Sequence, residues 1–217
     1  MSVVPADWPL ASLLVGAAET ALERLEPPLE LAECELVADA LAADDRTWLR
    51  LREGPVGWRL RLWLHPDQVL TDRPGHGHLA VIGSEWRLGP IPGAETPPAE
   101  AEFSLPNAQR FLYQQFMLAG DVIAGRLIPA EVPPSLVEAF QEAWLIGIDG
   151  RLQRLGLPHL SAGERRAGFL RLFAPAGVVT PGHWAIFNAL WDGTLSTQGD
   201  VLAKVRLLPA LVRQRGA

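Results

Sequence analysis

Few residues in this chain combine the type and the spacing that chemistry needs. His76 and His78 flank Gly77, with His65 earlier and Glu85 a little later. Residues two apart on a strand share a face, so the two imidazoles could hold one metal ion. No third ligand follows at a spacing that zinc sites use, and loop histidines at a strand start account for the pattern without a metal. His159 and His183 each precede a helical segment, where capping or surface positions are expected. Cys34 is the single cysteine and Ser84 follows Gly83 outside any nucleophile elbow. The glycines form neither GxxxxGK[ST] nor GxGxxG after a strand, which argues against a P-loop or Rossmann site.

A second set of polar residues sits on helical patterns. Residues 106–127 read as one long helix with Asn107 as N-cap and Gly125 near its end. Ala108, Phe111, Leu112, Leu118, Ala119, Val122 and Ile123 make a broad apolar stripe along it. Gln115 falls inside that stripe, with Gln114 and Asp121 beside it on the same helix. An amide buried without partners costs roughly 1–3 kcal/mol, which makes these positions candidates for a polar site. The next predicted helix, 135–155, carries Glu138, Glu142 and Asp149, with Arg151 beside Asp149 as an ion-pair or network partner. On the predicted hairpin, Arg50, Arg52, Arg59 and Arg61 line up as a basic strip, which is expected to be a solvated sheet face.

The elements that must position these groups follow from periodicity and turn chemistry. Residues 9–25 form an amphipathic helix that Pro27 and Pro28 end. Residues 29–41 alternate irregularly, which leaves a strand and a short helix both open, and a strand ending near Ala38 is the expectation. Strands 47–52 and 58–64 flank the Gly-Pro-Val-Gly turn as a hairpin, with Trp58, Leu60, Leu62 and Leu64 on one face and Arg59, Arg61 and Trp63 on the other. Residues 78–88 are expected as a third strand of the sheet, and proline-rich 90–102 as a connector. The helix at 135–155 contains Gly147 and Gly150, expected to kink it. Further helices are expected at 164–173, at 181–191 and at 198–208, the last capped by Ser196 or Thr197. The expectation is a single α+β domain over 1–217: an N-terminal helix, an antiparallel sheet, a long central helix and a helical C-terminal half. Leu13, Leu60, Leu62, Phe111, Leu112, Val122, Phe140 and Trp144 are expected in a common core.

The window Gln114-Gln115-Phe116-Met117-Leu118 resembles the active helix of the zincin metallopeptidases, whose pattern is HExxH, in its position after a sheet and on a long helix. In the intact motif two histidines one turn apart bind zinc and the glutamate acts as base on the metal-bound water. The resemblance aligns Gln114 with the first histidine, Gln115 with the glutamate and Leu118 with the second histidine. An amide is a poor zinc ligand and leucine cannot coordinate, so the resemblance implies a degenerate, zincin-like scaffold without peptidase activity, metal or other cofactor. Glu138, Glu142 and Asp149 would stand where the third ligand comes from, and Asp121 would lie in the vestigial site.

Composition bounds the remaining readings. The chain has 217 residues, 48% of them hydrophobic and 20% charged, which is globular. A formal charge of -6 offers no general attraction for phosphate backbones, so nucleic acid is not an expected partner. No apolar run approaches the ~20 residues that span a bilayer, and no signal segment opens the chain, so the cytoplasm is the expected location. Three functions compete: a non-catalytic protein with a cleft for a peptide, a protein partner or a small ligand, a metal-free enzyme using carboxylates such as Glu142 and Asp149, and an interaction module built on exposed tryptophans.

Overall fold

One crossover and one hairpin build the sheet. In the computed structural model, which describes residues 1–4, 7–38, 48–64, 69, 103–174 and 177–213, strand β1 is Ser2–Val4, helix α1 is Ala11–Arg24 and strand β2 is Leu31–Ala38. β1 and β2 pair in parallel, which requires a crossover, and α1 supplies it. Strands β3 (Trp48–Gly54) and β4 (Gly57–Leu64) form the predicted hairpin, and β4 returns between β3 and β2, parallel to β2. The order is β1-β2-β4-β3, so the sheet is mixed and not antiparallel. The expected third strand at 78–88, the connector at 90–102 and the residues His65, His76, His78, Ser84 and Glu85 lie outside the described residues.

The sheet's two faces differ as the alternation predicts. Leu60, Leu62 and Leu64 of β4 are buried beside Cys34, Leu36 and Ala38 of β2. On the other face the arginine strip is neutralised in place: Arg59 pairs with Glu33 at 3.5 Å, and Arg61 with Glu35. In the register Arg50 faces Arg61 and Arg52 faces Arg59, so the β2 glutamates offset like charges set directly opposite. Burial pushes the Cys34 thiol up to about 12, which makes it an inert structural residue at neutral pH.

Helix α2 spans Leu105–Ile123. It starts earlier than Asn107, because Pro106 is tolerated in the first turn and Ser104 accepts from the Asn107 N–H at 3.3 Å. Gly125, at φ +67°, follows its end. Residues 111–119 are all buried, wider than one stripe. α1 packs on α2, and its buried residues are Leu14, Ala17, Ala18 and Ala21, whereas Leu13 is 50% exposed and leaves the expected core. Leu13 shares its side of α1 with Gly16 and Thr20; the small alanines allow the closer approach. Val122 is only half-buried.

The chain divides into two compact units, Met1–Ile123 and Ala124–Ala217. The second is helical. Two 3-10 turns, Pro129–Glu131 and Pro134–Leu136, lead into α3 (Val137–Arg154), α4 (Ala162–Phe173), α5 (Pro181–Trp191) and α6 (Gln198–Arg213). Each later start is specified locally. Ser161 and Glu164 form a capping box on α4, and Thr180 and His183 form one on α5, where Pro181 takes the first turn. Thr197, of the two residues considered, caps α6, accepting from the Asp200 N–H at 3.2 Å. The unit's core includes Phe169 with Phe173 and Phe187, and Phe140 stacked with Trp144.

α3 runs unbroken through Gly147 and Gly150, so the expected kink is absent. The glycines serve packing. A Cβ on Gly150 would lie 2.0 Å from the Trp191 carbonyl oxygen, and one on Gly147 would lie 3.6 Å from that of Leu190. Bare backbone lets the C-terminal end of α5 rest on α3.

Candidate functional site

The seven residues singled out around the zincin window divide between the units. Gln114, Gln115, Leu118 and Asp121 lie on α2, and Glu138, Glu142 and Asp149 on α3. Gln114 and Leu118 are one turn apart on a continuous helix, and all four α2 positions are buried. Both polar atoms of the Gln115 amide make no hydrogen bond at 0% exposure, a cost of roughly 1–3 kcal/mol.

The three carboxylates of α3 have different surroundings. Glu138 is exposed in the first turn, where it favours the helix dipole. Asp149 is fully buried, accepts from the Leu160 N–H at 3.1 Å and pairs with Nε of Arg165, itself buried on α4. Glu142 stands 3.8 Å from Nη1 of the same arginine. Its Oε1 lies against Gly168, where a Cβ would approach to 2.6 Å, so a glycine on α4 makes room for the carboxylate. Burial raises the Glu142 pKa above the ordinary carboxylate value; Arg165 and Arg171 oppose the shift and Asp149 adds to it. The Arg165 guanidinium thus ties two carboxylates of α3 to α4, and Asp149 also holds the 157–160 connector through the Leu160 N–H. These groups are occupied in joining helices.

A different set of residues lines open space. A cleft of about 210 Å³ in the helical unit is bounded by α3, by the end of α5 and by the start of α6. Trp144, Gly147, Arg151 and Arg154 line it from α3, Leu190 from α5, and Gly193, Leu195, Ser196 and Val201 from the chain beyond. Arg126 lines it from the connector before α3. The connector is pinned by Gln198, whose Oε1 accepts from the Ile128 N–H at 2.6 Å while its Nε2 donates to the Ile128 carbonyl at 3.0 Å. Arg154 donates from Nη1 to the Trp191 carbonyl at 2.7 Å, capping the end of α5. Gly193, at φ +79°, turns the chain under that guanidinium; a Cβ there would meet Nη2 at 3.0 Å. Neither Glu142 nor Asp149 lines the cleft.

Sequence reasoning did not find this site. Arg151 entered it only as a partner of Asp149, Trp144 only as core and Ser196 only as a candidate cap of the last helix, while Arg126 and Arg154 drew no attention. The one available signal was the Gly147-Gly150 spacing, which marks a face where another backbone approaches. His183, by contrast, is a cap as expected, with Nδ1 accepting from the Thr180 N–H at 3.2 Å. Among the described residues no group of three or more His, Cys, Asp or Glu side chains could hold a metal ion, and no helix is long and apolar enough to cross a membrane. No family model, no curated protein and no solved structure matches the chain.

Proposed function

We propose that this is a non-catalytic binding protein whose α3–α5–α6 cleft receives a small ligand. The observation that carries the reading is the construction of the cleft: pinned walls, a glycine-made floor and convergent polar groups on an apolar lining, the usual form of a ligand site. Its 210 Å³ is below the roughly 300–1,000 Å³ of drug-sized pockets, which favours a compact ligand over a peptide segment. The carboxylates of the enzymatic reading are engaged with Arg165, which supports a structural role for them. The tryptophan-interface reading has less support, since Trp8, Trp63 and Trp144 are buried and Trp58, Trp184 and Trp191 half-buried. The test is a fragment titration by NMR against the parent chain and Ser196→Trp, which fills the cleft from its rim. Binders of the parent should be lost in the variant; a diverse set without binders, or with binders indifferent to the block, would refute the reading.

The kinship of α2 with a zincin helix belongs to the same proposal. It is supported by Gln114 and Leu118 lying one turn apart on a long helix that follows a sheet. A zinc titration of the Gln114→His, Leu118→His variant tests it, and a folded variant with no affinity above the parent would end it. A cytoplasmic location is likewise proposed, supported by a lone thiol that is buried, as is the absence of nucleic acid among the partners, supported by the net negative charge.

A further inference from the structure

The cleft sorts its lining by depth. Ala143, Trp144, Leu190 and Val201 are buried and give it an apolar floor, whereas Arg126, Arg154 and Ser196 are exposed and Arg151 is half-buried. A long arginine side chain can lay its apolar stem along such a wall while the charged head stays in water. Arg126 and Arg151 have interaction partners within the fold, and Arg154 donates from Nη1 to the Trp191 carbonyl at 2.7 Å. No Asp or Glu occurs among the described lining residues. A charged ligand would give up hydration on this floor without a counter-charge there to replace it, which is costly.

Gly147 gives a second, independent observation. It lies within α3 and lines the cleft, and a Cβ there would meet nothing closer than the Leu190 carbonyl oxygen at 3.6 Å, an ordinary contact. Gly150, three residues on, has no such latitude at 2.0 Å, and the approach of α5 rests chiefly on it. Alanine would therefore fit at 147, and it would favour the helix, since glycine loses more backbone freedom on folding. The glycine instead leaves the space of a methyl group open in the wall of the cleft. Space kept at a cost to the helix is what a ligand site requires and what packing alone does not.

Resting on the reading of the cleft as a ligand site, we infer that the ligand is a neutral organic compound of single-ring size. Volume sets the size: a dry apolar cavity of about 150 Å³ holds benzene, and the cleft offers about 210 Å³. The surplus admits a short substituent such as a hydroxymethyl group. The apolar body lies on Ala143, Leu190 and Val201, beside the indole of Trp144, which a stack on Phe140 at 5.4 Å holds in place. A polar substituent belongs at the rim, where the Ser196 hydroxyl can donate or accept.

An NMR titration of the full chain with benzyl alcohol, benzoate and benzylamine, single-ring compounds that are neutral, anionic and cationic at neutral pH, tests this. Benzyl alcohol should bind about tenfold or more tightly than either ion, because each ion must desolvate an unpaired charge. Its affinity should not change as salt is raised. Gly147→Ala should raise the denaturation midpoint and weaken benzyl alcohol severalfold, a pairing that a purely structural glycine would not give. Ser196→Trp, at an exposed position outside α3, should abolish binding and keeps the test valid should Gly147→Ala unfold the chain. If benzoate matches benzyl alcohol and weakens with salt, the neutral class is wrong while the cleft remains a ligand site. Benzyl alcohol that binds the parent and both variants alike would overturn the inference. If none of the three binds while other fragments occupy the cleft, the inference falls alone; if those fragments fail as well, both readings fall together.

Discussion

Gly150 of α3 and Trp191 of α5 are in backbone contact: a methyl group at Gly150 would sit 2.0 Å from the Trp191 carbonyl oxygen. This approach sets α5 against α3, and with it the wall that Leu190 gives the cleft. Gly150→Ala should therefore destabilise the chain by about 2 kcal/mol or more, even though alanine is ~1 kcal/mol better than glycine within a helix. Gly16 is the control, because a Cβ there meets nothing within 4 Å on the surface of α1. Gly16→Ala should stabilise by about 0.5–1 kcal/mol. Denaturant midpoints that move the same way for both variants would contradict the packing.

The Asp149–Arg165 pair makes a second prediction. Asp149→Ala leaves the buried guanidinium with Glu142 as its carboxylate among the described residues, and the loss of a buried partner costs roughly 3–5 kcal/mol. Chemical denaturation of the variant measures it. A loss below about 1 kcal/mol would mean that Arg165 is solvated, and the enzymatic reading of these carboxylates would regain its force.

Glu142 gives the chain a pH dependence with a definite sign. Its folded pKa is raised above the ordinary 4.5, chiefly by burial, so the folded state binds its proton more tightly than the unfolded state does. The stabilisation is fully present below the unfolded value and is lost as pH rises through the folded one. Stability should thus fall over that window in the parent and fall less in Glu142→Gln. Parallel stability–pH curves for the two proteins would remove Glu142 as the source.

Much of this fold was legible because it is local. The hairpin turn, the prolines opening helices, the Thr197 cap and the α5 bounds of Pro181–Trp191 each depend on neighbours a few residues apart. β1 was missed because three residues carry no readable alternation and its partner Glu35–Val37 is reached only through a crossover. For the same reason the sheet was expected to be antiparallel. Leu13 shows a limit of periodicity: a leucine beside the stripe looks like core until the alanines are known to form the buried face. The cleft was illegible for a deeper reason. Arg126, Arg151, Arg154 and Ser196 share no motif, and they meet only because glycines in α3 admit α5 and Gln198 holds the connector.

The most direct test of the account is where on the chain a ligand acts. Backbone amides of Gly147, Gly193 and Ser196, with the indole N–H of Trp144, report on the cleft in a two-dimensional NMR titration with any fragment that binds the parent. The account predicts saturable shifts concentrated at these four residues and absent from Gly16 and Gly57. Saturable shifts confined to other residues, with these four unmoved, would contradict it.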